Sequence, residues 1–154
     1  MIKKVVYFDY GGSHTSILAA CIHCGKIPAD EVPDGNTLME LPYLDKTSAE
    51  DFGKIKYIGT DESGNEIYAL GTKASDSGPL LQDLAVLQGI DDEFEFIRTT
   101  PFVNPILRIG GFLSRSASLP FVGRPLLISG LKKAYPYIST FVEQNRIVLG
   151  GEMQ

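Results

Sequence analysis

The chain has 154 residues, 44% hydrophobic and 21% charged, an ordinary globular balance that excludes global disorder and a miniature scaffold dependent on disulfides. A net charge of −5 argues against nucleic acid as a partner, and no apolar run reaches the length of a membrane span. All five arginines, Arg98, Arg108, Arg115, Arg124 and Arg146, fall after residue 97, so an acidic first two thirds is followed by a basic last third.

In chain order, Val5-Val6-Tyr7-Phe8 is a continuous apolar run and predicts a strand buried on both faces. It is entered directly from the N-terminus, with no small-residue cleavage site, so no secretory leader is expected and the cytoplasm is the expected location. Gly11-Gly12-Ser13-His14-Thr15-Ser16 follows, and then a helix through Cys24 that is apolar nearly all round, with Ser13 as its expected N-cap. Gly25 and Pro28 end it. Residues 28–53 form a long connection of the length that often serves as a lid. Within it Asn36 and Ser48 are candidate caps of short turns, and Tyr43, Asp45 and Lys46 would reach the sheet edge if the loop folds over it.

The alternation around Asp61-Glu62-Ser63-Gly64-Asn65 predicts a β-hairpin. Gly78-Pro79 opens a helix that Gly89 closes, Phe94 to Ile97 is the next strand, and Asn104-Pro105 has the order of a helix start. Residues 116–125 read as a loop, Leu126-Leu127-Ile128 as a last strand, and Ser129 as the cap of a final helix kinked or restarted at Pro136. The tail, 150–154, is expected to fray. The order predicts one α/β domain over 1–154. Its architecture is a three-layer sandwich, a mostly parallel sheet with an antiparallel hairpin at one edge.

The residues between the first strand and the first helix carry the clearest chemistry. The first N–H groups of a helix lack intrahelical partners and carry partial positive charge. Gly11 and Gly12 would allow a ligand close to the backbone, and Ser13, Thr15 and Ser16 add hydroxyls, which together read as an anion cradle. The loop is P-loop-like in position but lacks the Walker lysine and glycine spacing. The competing reading is a tight turn with an ordinary cap. His14 is the candidate acid/base, its neutral form favoured by the dipole. Asp9 is a candidate general base or, alternatively, an acceptor for the N–H groups of the glycine turn. If the main strands are parallel, Arg98-Thr99-Thr100 and Ser129 share that edge, where ligands of open α/β sheets bind, with Arg98 or Arg108 as the cation.

Cys21 and Cys24 lie at the wrong end of their helix for a redox pair, and two more ligands would be needed for zinc. They read as buried inert thiols; no metal site is expected and no cofactor is implied.

The stretches YFDYGGSHTSILAACIHCGKIP, TTPFVNPILRIGGFLSR and GRPLLISGLKKAYP resemble domain-of-unknown-function family 3189, found in spore-forming Gram-positive bacteria. The resemblance covers nearly the whole chain. It implies the Tyr-Gly-Gly-Ser/Thr-His-Ser/Thr start, matched by Tyr10 to Ser16, and the small-residue helix, matched by Ala19-Ala20. Cys21 and Cys24 stand where members have apolar residues. No established activity comes with it.

Two readings follow. In the first, a small anionic metabolite bearing phosphate or carboxylate binds at Gly11–Ser16, with transfer or hydrolysis as the reaction it suits. In the second, a non-catalytic protein, sporulation-linked as the resemblance implies, meets a protein partner through the 28–53 connection or the basic last third.

Overall fold

The computed structural model describes residues 1–151. Four strands, β1 (Lys4–Asp9), β2 (Lys56–Thr60), β3 (Glu66–Gly71) and β4 (Phe94–Arg98), form one sheet in the order β2-β3-β1-β4. β1 is central and parallel to both β3 and β4, while β2 pairs antiparallel with β3. The α/β class, the mostly parallel sheet and the edge hairpin are those expected from the sequence.

Val5 and Tyr7 of β1 face a core shared with α1 (Thr15–His23), while Val6 and Phe8 face the opposite side, with Leu70 and Leu81 of α3 (Gly78–Gln88). Four consecutive apolar side chains are needed because both faces are covered. All nine residues of α1 are buried. α5 (Pro120–Gly151) packs against α1 and presents Leu127, Leu131, Tyr135, Ile138 and Val142 to the same core. The hydroxyls of Tyr135 and Ser139 donate to the carbonyls of Pro28 and Ala29, tying the start of the long connection to α5. That connection contains α2 (Gly35–Glu40), which is capped by Asp34 rather than Asn36.

The C-terminal third departs from expectation. Leu126-Leu127-Ile128 is not a strand but part of α5, 32 residues long and therefore about 48 Å. A three-residue apolar run fits strand or helix equally. The wider spacing of Leu127, Leu131, Tyr135, Ile138 and Val142 has the helical period and decides it. Pro125 and Pro136 lie inside this helix, which does not restart at either. Burial of the apolar stripe outweighs the missing backbone bonds. Ser129 is consequently exposed on α5 and lies at no strand end.

The expected loop over 116–125 shrinks to residues 117–119. Before it, α4 (Pro105–Gly111), capped by Asn104 as expected, runs into a π-helical turn over Phe112–Ser116. α4 and α5 cross on glycines: a β-carbon at Gly110 would lie 2.3 Å from Leu127 N, and one at Gly130 2.5 Å from Leu107 N. Gly150 and Gly151 are helical, and the rest of the tail expected to fray lies outside the described residues.

Candidate functional site

At the C-terminal ends of β1 and β4 the β1–α1 loop, residues 45–52 and the α4–π segment enclose a cavity of about 990 Å³. That is the upper end of the range for small-molecule sites, at the sheet edge where α/β proteins bind ligands.

Asp9 ends β1 and is buried. Its two oxygens accept from the N–H of Gly12, the N–H of Ser16 at 3.1 Å and the Thr15 hydroxyl at 2.6 Å. Of its two expected roles, these contacts match that of acceptor for the turn's N–H groups, with three of about four lone-pair sites engaged. Asp9 also does the capping expected of Ser13, whose Oγ instead meets Thr47 Oγ1 and receives a hydrogen bond from Arg115.

Gly12 has φ +63°, and a β-carbon there would sit 2.3 Å from Gly71 N. Its missing side chain therefore admits β3, and its N–H is taken by Asp9. Gly11 lines the cavity with open space beside it. The cradle is thus partly filled by the protein's own carboxylate, the natural occupant of a helix N-terminus.

His14 lines the cavity, and its Nε2 is 3.2 Å from Oδ1 of Asp45. The long connection does fold over the sheet edge: the Asp45 N–H donates to the Ser13 carbonyl, and the Asp45 carboxylate is 2% exposed. Ser114 donates to Asp45 Oδ2 at 2.5 Å, and Arg124 Nε is 3.8 Å away. Burial pushes the Asp45 carboxyl up. Hydrogen bonds from His14 and Ser114, with the nearby His14 and Arg115 charges, outweigh that and hold it below the usual carboxylate range. Where the ring is neutral and Nε2–H donates to an ionised Asp45, the nitrogen without a proton is Nδ1. The ring packs on α4, where a β-carbon at Gly111 would be 2.8 Å from His14 Cε1. The order Ser114–Asp45–His14 places the aspartate in the middle, so Ser114 is not a nucleophile activated by His14.

Arg115, on the π turn, donates to Ser13 and Thr47. Arg108 lines the same cavity. Among the described residues neither has a carboxylate within 4 Å. Thr100 and Thr15 also line the cavity.

Other expected site residues lie elsewhere. Arg98 pairs with Asp76 at 3.3 Å, outside the cavity lining. Thr99 is sealed, its Oγ1 3.2 Å from both Thr15 Oγ1 and the Phe8 carbonyl oxygen. Ser16 serves Asp9 through its N–H and is fully buried. Tyr43 is exposed, and Lys46 Nζ donates to the Leu41 carbonyl at 3.2 Å. Thr47, Ser114 and Arg115 carry no local sequence signal; two threads of chain far from the loop bring them to it.

The two thiols remain free. Burial pushes Cys21 up to about 12 and raises Cys24 as well, which disfavours reactive thiolates. Among the described residues no helix is long and apolar enough to cross a membrane.

Comparison with curated proteins and with solved structures gives no match. The family model described as "Protein of unknown function (DUF3189)" matches residues 4–146, which takes in every segment that builds the cavity. The chain belongs to that family.

Proposed function

We propose that this cytoplasmic protein binds a small phosphate-bearing or carboxylate metabolite in the cavity beside the β1–α1 loop. His14, oriented by Asp45, would move a proton in a transfer or hydrolysis reaction. The observation that carries this reading is Arg115: an arginine at a cavity wall, held by two neutral hydroxyls, with no carboxylate within 4 Å among the described residues. A guanidinium so placed has its charge left for an anion. The anion's place is accordingly Ser13, Thr47, Arg108 and Arg115 rather than the N–H groups of Gly12 and Ser16.

A thermal-shift screen with phosphate, sulfate, sugar phosphates, nucleotides and small carboxylates tests it. A ligand at one hundred times its dissociation constant adds about 2.7 kcal/mol. The shift should vanish in Arg115→Gln and survive in Arg98→Gln. If no compound shifts the wild type, or Arg115→Gln shifts as much, the reading is wrong.

A second reading, a protein-interaction module, is favoured by one observation. Leu80, Leu84 and Leu87 share one exposed stripe of α3, and Phe121 at the start of α5 is 95% exposed. It gains if the screen is silent.

A further inference from the structure

Lys56 opens β2 opposite Ala69, which is itself opposite Tyr7 in β1. Its side chain therefore shares the α1 face of the sheet, near the edge that carries the cavity. It is 6% exposed, and its Nζ has no hydrogen-bond partner among the described residues. The charges it feels are those of Asp51, Asp9 and Arg115. Both carboxylates are engaged elsewhere, Asp9 by the β1–α1 loop and Asp51 by the N–H and hydroxyl of Ser48. Burial pulls the ammonium below the usual lysine range, Asp51 and Asp9 pull it up, and Arg115 adds to the lowering. Lys56 does not line the cavity, but Asp9 and Arg115 do.

A buried ammonium without a hydrogen-bond partner destabilises a fold, and the charge of Arg115, felt at Lys56, adds repulsion. Charge acts over several ångströms through a low-dielectric wall without contact. A doubly charged anion at the Ser13–Thr47–Arg115 corner would relieve both penalties at once; a single carboxylate would relieve half.

We propose that Lys56 and Arg115 together select a dianionic head group, the phosphate of a phosphomonoester, over a carboxylate. The proposal rests on the anion-binding reading above and narrows it from two ligand chemistries to one. Arg115 makes the contact and Lys56 supplies field from behind the wall.

The test is Lys56→Met, which keeps the length of the stem and removes the charge, with inorganic phosphate and acetate as probes at constant ionic strength. Two opposite changes are expected. Without ligand, the melting temperature of Lys56→Met rises above wild type, because an unpaired buried charge has gone. With ligand, phosphate binding weakens about tenfold and acetate binding about threefold, because the field of Lys56 acts on half the charge.

Lower stability of the unliganded variant would show the ammonium to be paired in the protein and overturn the proposal. So would unchanged phosphate affinity. A wild type that binds acetate as tightly as phosphate overturns the role of Lys56 and leaves the anion site standing. One that binds neither removes both.

Discussion

At the residue scale, two aspartates near one loop do different work because their partners differ. Asp9 accepts three hydrogen bonds, all from its own loop and the first turn of α1. Asp45 arrives from another part of the chain and meets a histidine. The second histidine is a contrast. His23 is buried between Tyr7, whose OH is 2.8 Å from its Nδ1, and Asp61, 3.2 Å from its Nε2. In the neutral form Tyr7 donates to Nδ1 and Nε2–H donates to Asp61. Burial pulls His23 below its usual range, against Asp61, which pulls it up. The unfolded chain takes up this proton near pH 6.5, the folded chain only at lower pH. Between those values the unfolded state binds more protons, so stability is lost as pH falls below about 6.5. The melting temperature should drop between pH 7.5 and 5.5, and drop less in His23→Gln, whose amide still bridges Tyr7 and Asp61. Equal drops would remove His23 as the source.

At the element scale, the β1–α1 loop and the α4–α5 crossing obey one constraint, backbone against backbone. A β-carbon at Gly71 would lie 2.6 Å from the Gly11 carbonyl oxygen, as one at Gly12 would meet Gly71. Gly71→Ala should therefore destabilise by about 2–4 kcal/mol in denaturant unfolding, although Gly71 lies outside the loop motif. Gly11→Ala, with open space at its β-carbon, should stay within about 0.5 kcal/mol. If both are neutral, the crossing is looser than described. The two adjacent glycines look equivalent in the sequence; only their neighbours separate them. The π turn at Phe112–Ser116 has a similar logic: it turns Arg115 toward Ser13 of the first loop and Ser114 toward Asp45, and π turns are frequent at functional sites.

At the scale of the whole molecule, the cavity joins segments far apart in the chain: residues 9–15, 45–52 and 100–116, with Ser75 between β3 and α3. An anion held there should tie them together. Hydrogen exchange with saturating phosphate should slow at 45–53 and 108–116 and stay unchanged in α3, on the other face of the sheet. Slowing confined to α3, or absent everywhere, would place the ligand elsewhere.

The first strand, the edge hairpin and the start of α4 followed from local pattern: the doubly buried run Val5–Phe8, the alternation around Asp61–Asn65 and the cap at Asn104 each act within a few residues. So did the position of the loop that borders the cavity, because a strand that ends at Asp9 and a helix that begins near His14 leave nowhere else for it. What faces that loop was decided by packing. Asp45, Thr47 and Arg115 reach it, and Ser114 reaches Asp45, only because a connection folds back and a π turn rotates a helix end. The same packing put Ser129 on a helix and Arg98 against Asp76. Periodicity records which side of an element is buried; it carries no information about which distant side chain will lie opposite, since that depends on the summed fit of all the elements at once.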